Sequence, residues 1–120
     1  MNTTLTNEYG NIVIEENAIS FIAANAAMTC YGLVGMSSKS ATDGFFELLK
    51  LENQTKGVKV KIEEDKLFID LYVVIQFGTK ISVVANNIID TVKYNVENFT
   101  GIEVEKVAVH VQDVRVQKDA

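Results

Sequence analysis

The run VKVKIEEDKLFIDLYVVIQ, from Val58 to Gln76, constrains the fold more than any other part of this chain. Val58, Val60 and Ile62 alternate with Lys59, Lys61 and Glu63, and Leu67, Ile69, Leu71, Val73 and Ile75 alternate on the way back. Side chains on a strand point to opposite faces with a period of two, so each half reads as a strand with one apolar face. A turn at Glu64-Asp65 sets Ile62 opposite Leu67 and Val60 opposite Ile69, which places the whole apolar set on one side of a hairpin. A slip of one residue would turn that set to water, so the register is strongly specified. Neither turn residue favours positive φ, which argues for a loop longer than two residues.

The flanking segments supply the cover such a face needs. GNIVIEE alternates, with Ile12 and Ile14 on one face, and predicts a first strand. A helix follows from about Glu16 to Tyr31, with acids in its first turn, where the helix dipole favours them, and Gly32 as its stop. DGFFELLKLEN predicts a short helix capped by Asp43, with Phe45, Leu48 and Leu49 on one face. TKISVVANNIIDTVKYNVENFTG predicts an amphipathic helix whose stripe is Ile81, Val84, Ala85, Ile88, Val92, Val96 and Phe99, with Thr79 capping its start and Gly101 its end. The last strand, Ile102 to Val116, changes phase twice: Ile102 and Val104 are even, Val107, Val109 and Val111 odd, Val114 and Val116 even again. Two bulges, or a bend where the strand leaves the sheet, account for that. The order β-α-(short α)-β-β-α-β predicts an α+β fold, a small mixed or antiparallel sheet with helices on one face, in a split-βαβ or KH-like arrangement.

At 120 residues the chain is read as a single domain spanning residues 1–120, long enough to bury a core without staples. A net charge of -5 argues against nucleic acid, because phosphate neutralisation needs clustered Lys and Arg. Cys30 is the only cysteine, which excludes an intrachain disulfide and a CxxC knuckle and suits a reducing cytoplasm. MNTTLTNEYG lacks the basic and apolar regions of a signal peptide. From Asn17 to Ser38 no residue is charged, yet Asn17, Ser20, Asn25, Thr29, Ser37, Ser38 and two glycines make this a helix and loop rather than a membrane span, so no direct insertion is expected.

Each chemical motif has a plainer reading. His110 is the only histidine and is out of phase with Val109 and Val111; a metal site needs three or four converging ligands, and no spacing pairs it with a nucleophile. GLVGMSSKS ends in Lys39-Ser40, but a phosphate loop needs glycine where Ser38 and Leu33 stand. Gly32-Leu33-Val34-Gly35 has the GxxG form with which KH domains clamp a nucleic-acid backbone, and it follows a helix; its middle residues are apolar, and a glycine-bounded turn explains it as well. The adjacent acids Glu63, Glu64 and Asp65 read as a solvated turn. No catalytic residue, cofactor or metal is expected.

The first helix carries the one unusual surface. At 100° per residue Ile19, Ile22, Ala23, Ala26 and Cys30 form its core stripe, while Phe21, Ala24, Met28 and Tyr31 fall opposite, beside Ser20 and Asn25. A solvated face would carry Lys or Glu. Either the short helix folds over this stripe, or Phe21, Ala24, Met28 and Tyr31, continued by Leu33, Val34 and Met36, form a partner or self-association surface.

The assembled segments resemble the alkaline shock protein family, small envelope-stress proteins of Gram-positive bacteria. The resemblance runs almost end to end, through YGNIVIEENAI leading into the first helix, CYGLVGM closing it, FGTKISVVANNI entering the second long helix, and TGIEVEKVAVHVQDVRV. Phe77 stands where that family usually has tyrosine. SSKSATDGFFELLKLEN is similar to a shorter subgroup often encoded beside a dihydroxyacetone-kinase-like fatty-acid kinase. The resemblance implies a cytoplasmic, non-enzymatic, self-associating homo-oligomer, with some members held at the membrane through an integral partner and a lipid kinase as another protein partner. It carries over no catalytic residues.

Overall fold

The computed structural model describes residues 2–37 and 55–116. Along the chain run β1 (Asn2–Asn7), β2 (Gly10–Glu15), α1 (Glu16–Met28), β3 (Leu33–Met36), β4 (Val58–Glu63), β5 (Lys66–Gln76), α2 (Ile81–Thr100) and β6 (Val104–Arg115). The fold is α+β, as the pattern predicts, with two elements the pattern did not show. β1 pairs with β2 as a separate antiparallel hairpin, whose turn is closed by Asn7 Oδ1 accepting from the backbone N–H of Tyr9 (2.8 Å) and Gly10 (3.1 Å). GLVGM, read as a loop, enters β3. The predicted short helix with Asp43, Phe45, Leu48 and Leu49, like Lys39, lies outside the described residues.

β5 is the central strand. β6 runs parallel to it along nearly its whole length, and β4 and β3 share its other edge end to end, both antiparallel, β4 against Lys66–Leu71 and β3 against Val73–Ile75. Leu67, Ile69, Leu71, Val73 and Ile75 are fully buried on the face that receives both helices, so β5 is the floor of the core. The predicted register holds, with Ile62 opposite Leu67 and Val60 opposite Ile69. The loop does not lengthen: Glu64 and Asp65 alone make the turn, at φ 51° and 64°. Both sit in the left-handed region that side chains with a Cβ disfavour, the geometry of a type I′ turn. Replacing the pair by Asn-Gly (E64N/D65G) is expected to stabilise the fold by about 1 kcal/mol. Urea unfolding checks it; a higher midpoint at unchanged slope is the expected result, and an unchanged midpoint would contradict it.

α2 buries Val84, Ile88, Val92, Val96 and Thr100, a single i+4 ridge, while Ile81 and Phe99, expected on the same stripe, are exposed. An i+4 ridge is inclined to the helix axis, so the buried line winds away from Ile81, three residues before Val84, and from Phe99, three residues after Val96. Thr79 does not cap α2; its hydroxyl donates to the Gln76 carbonyl (2.6 Å), and Lys80 occupies the cap position. Gly101 does end the helix, in the left-handed conformation at φ 75°, with its N–H donating to Glu97 O. The Glu97 carboxylate then accepts from the Val104 N–H (2.9 Å) and ties the end of α2 to the start of β6. β6 has the two phase changes in the sequence: its register with β5 shifts between Leu67 and Phe68 and again between Val73 and Val74, skipping Glu105 and Gln112. Two bulges, not a departure from the sheet, explain the valine pattern.

Candidate interaction surface on the helical layer

α1 is buried over more than half of its circumference. Ile19, Ser20, Ala23, Ala24, Ala26 and Ala27 are all buried, because the helix meets β2, β3, β4 and α2 at once. Four alanines in this arc let the neighbouring backbones approach closely. Ala24, expected to face outward, is therefore only 3% exposed, and Met28 is half-buried against the core. A division of the helix into two opposite stripes fails here, since a helix packed on several sides buries the flanks of its core stripe too. Of the other residues assigned to the outer surface, Phe21 (63%) and Tyr31 (78%) are exposed. Leu33 and Val34 are half-buried in β3, and Met36 is fully buried, paired with Val73 on the core side of the sheet.

What remains outward on α1 is an arc of Asn17, Ala18, Phe21, Asn25 and Thr29. This arc borders α2. Cys30, half-buried, points its Sγ at the carbonyls of Ala26 (3.8 Å) and Asn87 (3.9 Å), which brings the end of α1 against the first half of α2. The two helices leave a groove of ≈ 260 Å³ lined by Phe21, Ile22, Asn25, Ala26, Thr29, Asn95 and Phe99. No lining residue is charged. Phe99, 70% exposed, forms one wall with Phe21 opposite it in the lining. Sequence reasoning placed Phe99 in the core, since it is spaced seven residues from Val92; only the inclination of the buried ridge moves it to the rim. Asn95 Nδ2 donates to the Thr91 carbonyl (2.8 Å), so its polar edge is held along the helix.

The other candidates take different places. Gly32-Leu33-Val34-Gly35 is not a free clamping loop: Leu33 pairs with Ile75, Gly35 with Val74, and Gly32 O accepts from Gln76 N (2.8 Å). Val34 is the extra residue where the ladder shifts register. His110 lies on the sheet face away from the helices, its Nε2 2.9 Å from Asp70 Oδ1 and its ring stacked on Tyr72 with centroids 4.5 Å apart. Among the described residues no three His, Cys, Asp or Glu side chains converge as a metal site, and no helix is long and apolar enough to cross a membrane.

Comparison with known proteins agrees with this architecture in extent. The chain is 44% identical over 117 residues to the uncharacterized protein YloU of Bacillus subtilis (strain 168), covering 97% of this chain and 98% of that one. It is 38% identical over 117 residues to the uncharacterized protein Spy1614 of Streptococcus pyogenes serotype M6, covering 97% of each. It is 30% identical over 106 residues to the uncharacterized protein YqhY of B. subtilis, covering 88% of this chain and 78% of that one. Residues 4–116, which take in every core strand and both helices, match one family throughout, and the chain belongs to that family, the alkaline shock protein 23 family of cell envelope-related function.

Proposed function

We propose that this chain is a non-catalytic interaction protein of the envelope stress response that self-associates through the groove between α1 and α2. The observation that carries the reading is a charge-free groove walled by two largely exposed phenylalanines. In water each such ring forgoes roughly 1.5–3 kcal/mol of burial. Soluble monomers seldom leave contiguous apolar surface of this kind uncovered. A second copy is the occupant the charges favour. Two chains of net charge -5 repel over most of their surfaces, and a face lined by Asn25, Thr29, Asn95 and aromatic rings lets them meet without apposing like charges.

The test is sedimentation of the wild type beside Phe21→Ser/Phe99→Ser. Both side chains are exposed, so the double variant keeps its core, and its circular dichroism and melting are expected to match the wild type. Self-association is expected to weaken by at least about tenfold, the effect of losing an aromatic anchor at the centre of a contact. A wild type that stays monomeric at high concentration would overturn the proposal, as would an unaltered assembly in the variant.

A further inference from the structure

The face of the sheet away from the helices has its own charge pattern. Lys59, Lys61, Lys66, Lys106 and Arg115, five of the chain's 11 basic residues, project from it. Register places them in rows across the strands. Lys61, Phe68 and Lys106 form one row, and Lys59, Asp70 and Ala108 the next. Most of the charge is neutralised locally. Lys61 Nζ is 2.9 Å from Glu63, Lys66 Nζ 3.3 Å from Glu105 and Arg115 Nε 2.9 Å from Asp113. The hydrogen bond and charge of Glu63 raise the Lys61 pKa above its usual value, so that ammonium stays charged. Lys59 and Lys106 form no ion pair among the described residues, although both belong to an acidic chain and stand on the same face.

These lysines rim a cleft of ≈ 320 Å³ lined by Lys59, Lys61, Lys106, Phe68, Ile69 and Ala108 together with two acids, Glu63, which pairs with Lys61, and Asp70, which is hydrogen-bonded to His110. Its volume is within the range of small-ligand sites. The neighbouring hollow, ≈ 570 Å³, is lined by Glu63, Glu64, Lys66, Phe68 and Glu105, three acids to one base. Phe68 therefore lines both a hollow with an excess of acids and a cleft with three bases to two acids, in which Lys59 and Lys106 are the cations outside any ion pair among the described residues. We infer that this cleft binds a phosphate monoester carrying an apolar or aromatic body, with the phosphate held by Lys59 and Lys106 and the body lying over Phe68 and Ala108. Lysine ammoniums recognise phosphate as point charges, with no need for a rigid fork, and a ring between cations leaves a flat apolar floor beneath the bound group. The same chemistry is offered by a free phosphate ester and by the head group of phosphatidic acid. The site is separate from the α1–α2 groove, and its test does not depend on self-association.

Amide chemical shifts of the full chain provide the test, with phenyl phosphate, inorganic phosphate, and phosphatidylcholine vesicles with or without phosphatidic acid as probes. Phenyl phosphate is expected to shift Lys59, Lys61, Phe68, Lys106 and Ala108, and inorganic phosphate to do so more weakly. Lys59→Gln/Lys106→Gln is expected to weaken binding at least about tenfold, since two charge-assisted contacts are lost. Both lysines are exposed, so the fold should persist; Lys106→Gln alone serves if the double variant does not fold. Shifts from vesicles carrying phosphatidic acid, but not from phenyl phosphate, would assign the ester to a membrane lipid. Absence of shifts with every probe would overturn the inference, as would binding unchanged in the lysine variants. Equal response to inorganic phosphate would overturn the role given to Phe68.

Discussion

Leu71→Ala is expected to destabilise the protein by about 4 kcal/mol and to lower the melting temperature by on the order of 15 °C. Leu71 is fully buried at the middle of β5, opposite Val58 on one side and Val109 on the other. Both neighbouring strands are held by backbone pairing, so the site cannot collapse around the smaller side chain, and the cavity cost adds to the lost transfer energy. A domain of this size has about 5–15 kcal/mol in total, so this one truncation removes a large share. Thermal and urea unfolding measure it. A loss below about 1 kcal/mol would mean that β5 is not the floor of the core.

Gly32→Ala is expected to cost about 3 kcal/mol, for two separable reasons. Gly32 sits at φ +90°, where an L side chain is strained, and a Cβ there would lie 2.6 Å from Val84 Cγ2. Neither partner can yield easily: Gly32 O is bonded to Gln76 N, and Val84 is buried in the first turn of α2. Adding Val84→Ala should remove the collision and keep the backbone strain. The double variant is therefore expected to be more stable than the sum of the two single effects predicts, by roughly 1 kcal/mol. Strict additivity would contradict the contact. The same glycine that invites a nucleic-acid reading is thus accounted for by the seam between β3 and α2.

Residues with a strict period told the most. The β4–β5 register followed from alternation together with the turn at Glu64-Asp65, because a slip of one residue would turn the apolar set away from the core. The two irregularities in β6 followed from valines that change parity at two places, with the ladder deciding for bulges over a bend, and the end of α2 followed from Gly101. The features that stayed hidden depend on tertiary context. β1 was obscured because its alternation is built from threonines around Leu5, with no apolar face of its own until β2 pairs with it. β3 has four residues, two of them close to glycine-turn patterns, and becomes a strand only because the second half of β5 offers a free edge.

The candidate surface was half legible for related reasons. The missing charge between Asn17 and Ser38 pointed to α1, and Phe21 is indeed exposed there. Assigning Ala24 to the same surface assumed a helix packed on one side, whereas this one is enclosed by sheet, hairpin and α2. Phe99 could not be found from a helical wheel, since its position is spaced like a core residue and lies outside only because the contact line follows the i+4 ridge.

Photocrosslinking from position 21 tests the central claim most directly. Phe21 replaced by p-benzoylphenylalanine keeps an aromatic body at the groove rim and reports its neighbour. The account predicts a covalent dimer of the chain, with the crosslink mapping to the helical face, among residues 17–29 or 91–99 of the second copy. Crosslinks only within the same chain, or no dimer at concentrations where the protein sediments as an assembly, would contradict it.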